Sequence, residues 1–350
     1  MTTSVKEGSR LRWLRERIQW RWVALAFGAA LLTWLIIDFG PAQLARRLFD
    51  VGPGFLLMPL VYALGSGLRA FGWRVLITPL HRPSLRGTVE SRFAAGVLNE
   101  SLPLLGLGGE PTRLLWLSKA SRGAGTSALI LDRVLVLVAD ALYLLAVATI
   151  AVTFLPLPDT LFKNAALCIA VSLTLSASLV LLTFKKGLAT PVILVIGKLG
   201  FFSQERLDKA RAIDATVREV WSHHPKRILL ALGIQLGSRL LMSMEIWIGL
   251  SLLGARAGFA DALIVSVVPL AVSVAFAFIP SQIGVMAAAN ALVFKALGLD
   301  PALGVALALL QNLRQLAIFP FGFICLARAP HLQRRQQQQR QCLREGAIKR

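Results

Sequence analysis

Asn99-Glu100-Ser101-Leu102-Pro103-Leu104-Leu105-Gly106-Leu107-Gly108-Gly109-Glu110-Pro111-Thr112-Arg113 lies between long apolar runs, yet it carries two prolines, three glycines, two carboxylates and an arginine. Irregular backbone inside a bilayer is tolerated only where protein or a watery cavity surrounds it. Ionisable groups at membrane depth are costly unless they are paired or have a function. If the flanking runs are transmembrane helices, this stretch is the place to look for a binding site or a transport path.

The flanking runs have that character. The 350 residues are 56% hydrophobic and 16% charged, with mean hydropathy +0.66, whereas a soluble domain carries about 25% charged residues. The apolar residues gather in runs near the roughly 20 needed to cross a hydrocarbon core of about 30 Å. The expected fold is all-α, a polytopic transmembrane bundle.

Lys and Arg outnumber Asp and Glu by 38 to 18, a net charge of +20. The basic residues sit at the ends of apolar runs, as the positive-inside rule requires. They form no continuous footprint of the kind phosphate-backbone binding needs, so nucleic acid is not an expected partner. Cys168, Cys325 and Cys342 show no paired or metal-like spacing, and His223-His224 has no carboxylate or thiol at ligand distance. No metal and no cofactor is implied.

Residues 1–22 form a basic N-terminal segment with Trp13, Trp20 and Trp22 suited to an interfacial belt. Val23–Ile37 follows without a small-residue cleavage site, which predicts an uncleaved first span. The second span is expected at Phe55–Thr78, with Gly65-Ser66-Gly67 permitting close contact and Arg69 and Arg74 snorkelling to the cytoplasmic interface. Phe93–Leu107 is too short and too broken for a plain crossing and reads as a re-entrant hairpin. Ser127–Leu155 and Leu161–Phe184 are the third and fourth spans, joined by the nearly uncharged loop Pro156–Asp159. Ser203–Trp221 is amphipathic, and two placements stay open for it: on the membrane surface or packed on the bundle. Ile228–Leu253, Phe259–Ile279, Gly284–Gly298 and Ala302–Ala327 bring the total to eight crossings. That parity puts both termini in the cytoplasm. Residues 23–327 then form one membrane domain, and 328–350 a basic tail whose Gln- and Arg-rich part, 333–341, is expected to be disordered.

Two parts of the chain echo each other. Leu102-Pro103, then Gly108-Gly109, precede a span bearing Asp132-Arg133; Ile279-Pro280, then Gly284, precede a span bearing Gln311-Asn312 and Arg314. Paired breaks in hydrophobic segments point to a midplane binding site in transporter folds and to an inverted repeat. Half-helix N-termini and close-approach glycines suit an anionic headgroup. Arg113, Arg133 and Arg314 can grip a phosphodiester bidentately, with Glu100, Glu110 and Asp140 balancing their charge or meeting a cationic headgroup. The bland alternative is that these groups pair with one another and lock helices together. Arg239 and Glu245, six apart on one helix, each need a partner elsewhere.

At these residues the chain resembles the lysylphosphatidylglycerol synthase transmembrane-region family of flippase-like proteins. The resemblance rests on Asn99, Leu102-Pro103, Gly109-Glu110 with Arg113, and Asp132-Arg133. It extends to Ile279-Pro280, Ile283-Gly284-Val285, Gly298-Leu299 and Gln311-Asn312-Leu313-Arg314, and spans about residues 20–327. The form from Asn99 to Glu110 is most similar to a branch associated with bacterial hopanoid biosynthesis. What the resemblance implies is a lipid flippase or transporter of the bacterial inner membrane, with membrane lipids and lipid-synthesis enzymes as partners. Its expected substrate-binding residues are Asn99, Glu100, Pro103, Gly108, Gly109, Glu110, Arg113, Asp132, Arg133, Pro280, Gly284 and Arg314. Two-domain relatives attach the amino acid with a soluble domain. Nothing after residue 327 is long enough to be one, so aminoacyl transfer is not expected. Relatives commonly carry an acid after Gly-x-Gly-Val, where this chain reads Met286-Ala287-Ala288. That weakens a cationic-lipid reading and favours a hopanoid, isoprenoid or glycolipid over a modified phospholipid. No ATP-binding loop is present. A membrane transferase using Glu100 or Glu110 as general base, and a scaffold for lipid-synthesis enzymes, are the competing functions.

Overall fold

The computed structural model describes residues 27–101, 108–154, 204–275 and 282–348, with Thr174 and Ser178 besides. Every described element is helical. In chain order they are α1 (Phe27–Asp38), α2 (Pro41–Asp50), a 3-10 turn Gly52–Leu56, α3 (Leu57–Leu76), α4 (Leu85–Ser101), a 3-10 helix Glu110–Trp116, α5 (Arg122–Phe154), α6 (Gln204–His223), α7 (Pro225–Leu252), α8 (Phe259–Val265), α9 (Val268–Ala275), α10 (Ile283–Ala296) and α11 (Pro301–Ile348). The chain divides into two compact units. Unit I is Met1–Pro59, Leu98–Gly108 and Met244–Ala317; unit II is Leu60–Val97, Gly109–Ser243 and Ile318–Arg350.

Four helical stretches are long and apolar enough to cross a membrane: Gly52–Leu76, Lys119–Ala151, Pro225–Leu252 and Pro301–Ala329. The α1–α2 pair, bent by 89° at Phe39-Gly40, would make a fifth. These stretches coincide with the second and third expected spans and with Ile228–Leu253 and Ala302–Ala327. Of the expected span Leu161–Phe184, all but Thr174 and Ser178 fall outside the described residues. Phe259–Ile279 is not one continuous helix, because α8 and α9 break at Ser266-Val267 and residues 276–281 lie outside the described set. Helix α10 has 14 residues, about 21 Å at the usual rise, so alone it is shorter than a hydrocarbon core.

In unit II, α5 and α7 run parallel. Asp132 pairs with Gln235, Asp140 with Arg239 and Tyr143 with Ser243, so residue numbers rise together along the contact. Helix α3 runs against α7: Ser238 donates to the Gly65 carbonyl at 2.9 Å, while Gly72 lies against Gln235. Helix α4 runs against the end of α11, where Phe93 meets Phe321 edge-on and Glu90 meets Arg328. Trp73 near the end of α3 donates to the Gly125 carbonyl at the start of α5. These directions gather Arg74, Arg82, Arg86, Lys119, Arg122, Lys226, Arg227 and Arg328 at one end of the unit.

Helix α6 packs along α5, burying Leu207, Ala210, Val217 and Val220 at helical spacing and Asp214 with them. Asp208, Arg211 and Arg218 line its exposed face. Unit I is built on Leu35, Leu44, Met58, Leu250, Phe294, Leu307 and Leu310. Helix α10 packs closely on α1, where a Cβ on Gly284 would fall 2.0 Å from the Gly28 carbonyl oxygen. The tail needs a correction. Helix α11 continues to Ile348 through the stretch 333–341 that the composition assigned to disorder. Gln and Arg are good helix formers, and a preceding span removes the cost of nucleation.

Candidate functional site

Helix α4 extends unbroken to Ser101, and the chain comes back beside it at Gly109. A Cβ there would sit 2.0 Å from the Ala95 carbonyl oxygen, so only glycine fits this return. Pro111 then occupies the first turn of the 3-10 helix Glu110–Trp116, and the Thr112 hydroxyl donates to the Gly109 carbonyl. Residues i and i+3 eclipse in a 3-10 helix. That geometry stacks Glu110 and Arg113 on one face, 5% and 1% exposed.

Glu110 is the hub. Its Oε1 accepts from Arg92 of α4 at 3.1 Å and from Arg133 of α5, and its Oε2 accepts from Arg113 at 3.0 Å. Burial by itself would raise this carboxyl. The guanidiniums of Arg92, Arg113 and Arg133 outweigh it and hold the pKa at about 2, below the usual 4.5. Arg113 Nη1 also reaches Asp132 at 3.5 Å, and Gln235 Nε2 of α7 donates to the other Asp132 oxygen at 2.7 Å. Gly72 of α3 leaves room for that last pair. The Arg113 guanidinium lies over the Trp73 ring, 4.3 Å from its centroid. Its Nε and Nη2 are buried without a partner among the described residues. Asp132 and Gln235 are each the eleventh residue of their helices, about 15 Å along them and inside the two stretches Lys119–Ala151 and Pro225–Leu252 that are long and apolar enough to cross a membrane.

Deeper along α5 and α7 the polar seam continues with Asp140–Arg239 and with Tyr143–Ser243 at 2.6 Å. Arg69 of α3 does not snorkel as its position suggested. It lies within electrostatic reach of Arg239, Arg92, Asp140 and Arg133.

Unit I holds a second polar element. Arg314 Nη1 of α11 donates to both oxygens of Glu245, at 2.9 and 2.7 Å, with the Glu245 side chain 2% exposed. Arg239 and Glu245 thus find their partners on other helices, as their spacing required. Also in unit I, the Asn290 amide is buried with no hydrogen bond among the described residues.

Of the twelve expected site residues, Glu110, Arg113, Asp132 and Arg133 meet in one cluster. Gly109 seats that cluster on α4, with Gly108 in the turn before it. Asn99 and Glu100 end α4 and belong to unit I, as do Gly284 and Arg314. Pro103 and Pro280 lie outside the described residues. The sequence reading passed over Arg92, Gln235 and Trp73. Arg92 and Gln235 were detectable as polar side chains within apolar helices, but no local pattern ties either to Glu110.

Among known protein families, residues 21–322 match the one described as lysylphosphatidylglycerol synthase TM region. No curated protein and no solved structure matches the chain.

Proposed function

The chain belongs to the lysylphosphatidylglycerol synthase transmembrane-region family, a family of lipid-handling membrane proteins, and on that premise we propose that it is a flippase-like lipid transporter of the bacterial inner membrane. The polar headgroup enters the ion cluster around Glu110 while the tails stay in the bilayer. The observation carrying this reading is Arg113. A buried guanidinium among apolar helices, with one edge lacking a partner among the described residues, is a poor structural clamp and a good anion receptor. The seam along α5 and α7 supplies polar partners for a headgroup moving toward the other leaflet. The basic end of unit II faces the cytoplasm under the positive-inside rule, with both termini on that side. The cargo is a hopanoid, isoprenoid, glycolipid or modified phospholipid, and lipid-synthesis enzymes are its functional partners.

A transferase reading would use Glu100 or Glu110 as a base, and the geometry speaks against Glu110. A carboxylate held near 2 by three arginines is poorly matched to proton abstraction at neutral pH. The transporter reading is tested in proteoliposomes carrying fluorescent analogues of these lipids. Protein-dependent leaflet exchange is expected, lost in Glu110→Gln and Arg113→Ala. Exchange equal to that of protein-free vesicles for every lipid class would sink it.

A further inference from the structure

The ion cluster of unit II does not close on itself. The groups joined by ion pairs or direct electrostatic coupling are Arg69, Arg92, Arg113, Arg133 and Arg239, against Glu110, Asp132 and Asp140. Guanidiniums stay protonated in proteins, and three carboxylates supply at most three negative charges, so among the described residues at least two positive charges of this set are not balanced within it. Such a surplus inside a membrane bundle calls for a counter-anion. Arg69 makes no ion pair or hydrogen bond among the described residues, and three other guanidiniums stand within its electrostatic reach. Arg113 keeps two buried N–H donors without a partner among them. Exposure is uneven: the Arg133 side chain is the most open at 29%, Arg92, Arg239 and Asp140 stand at 15%, 16% and 17%, and Glu110 and Asp132 are at 7% and 5%. Around Glu110 and Asp132 the exposed groups are therefore the guanidiniums of Arg92 and Arg133.

We infer that this cluster binds a lipid headgroup carrying two negative charges, a phosphomonoester or a diphosphate, in preference to a monoanionic phosphodiester or a cationic headgroup. The Nε–Nη2 edge of Arg113 presents paired donors that match two phosphate oxygens. Arg69 and Arg239 supply the second unit of positive charge. This inference rests on the reading of the Glu110 cluster as a headgroup site and adds the charge that the headgroup must bear.

The test is binding to the full-length protein in phosphatidylcholine nanodiscs, measured calorimetrically. The probes are farnesyl diphosphate, farnesyl monophosphate, farnesol, inorganic pyrophosphate and phosphatidylglycerol added to the disc. Both farnesyl phosphates are expected to bind at least about tenfold tighter than farnesol, pyrophosphate or phosphatidylglycerol. Arg69→Gln is expected to weaken them about tenfold and Arg69→Lys by less. Phosphatidylglycerol binding as tightly as the diphosphate overturns the inference, as does pyrophosphate matching the lipid form or an Arg69→Gln variant that binds unchanged. If Arg69→Gln fails to fold, the ligand series on the unaltered protein decides alone. Binding is read without transport, so the two readings fail separately. A dianion preference without leaflet exchange removes the transporter reading only, and exchange without charge preference removes this inference only.

Discussion

The Glu110 cluster of unit II and the Glu245–Arg314 pair of unit I are both buried, both ionic and both built from an arginine that the sequence singled out. They differ in charge balance. Glu245 accepts two hydrogen bonds from one Arg314 nitrogen, one acid to one base. Glu110 is shared by three arginines, one of which also reaches Asp132. Both elements keep a buried guanidinium nitrogen without a hydrogen bond among the described residues, at Arg314 Nε and at Arg113 Nε and Nη2, so an unused donor does not separate them. The excess of arginine over carboxylate does, and on the proposal above that excess is what a headgroup answers.

Replacing both members of each element separates the two most sharply. Glu110→Leu with Arg113→Leu should abolish leaflet exchange, whereas Glu245→Leu with Arg314→Leu should leave exchange within about twofold, because a closed buried pair can give way to apolar side chains at little cost. Loss of exchange in both doubles would break the comparison. Next in size is a half-removal. Glu245→Leu alone removes the carboxylate that Arg314 pairs with and should lower stability by about 3–5 kcal/mol, read by denaturant unfolding in detergent, with much of it recovered when Arg314→Leu is added. A smaller effect is expected at Gly109→Ala, whose new Cβ would collide with the Ala95 carbonyl. Shifting that return should cost about 1–3 kcal/mol and displace Glu110, lowering exchange more than stability; the reverse order would argue against Gly109 seating the cluster.

The smallest effect is a predicted absence. The folded-state pKa of Glu110, about 2, is depressed from 4.5. Its contribution to stability is therefore full above the unfolded value and is lost only as pH falls through about 2. Glu110 should give unfolding free energy no slope between about pH 5 and 8. A slope in that range that disappears in Glu110→Gln would show that the arginines do not hold the carboxyl ionised.

Some of this was legible in the residues themselves. Gly109, Glu110 and Arg113 sit within five positions, so the turn, the 3-10 stacking and the carboxylate–guanidinium pair could be read locally. Asp132-Arg133 stood out because an acid and a base inside an apolar run need partners. The partners were not legible. Arg92 is 18 residues from Glu110, and Gln235 is 103 from Asp132. Arg69 looked like a snorkelling end residue because its distance from the end of α3 is a one-dimensional quantity. The neighbours that decide its role lie on α4, α5 and α7.

The sequence by itself determined the class of molecule and the places of the long apolar helices Gly52–Leu76, Lys119–Ala151, Pro225–Leu252 and Pro301–Ala329. Those properties follow from hydrophobic burial and backbone hydrogen bonding, which are set residue by residue along the chain. Only the tertiary structure decided which arginine answers which carboxylate, that Arg314 meets Glu245, and that among the described residues Glu110 is shared by three arginines. Electrostatic partnership depends on distances between helices, and no spacing along the chain encodes them.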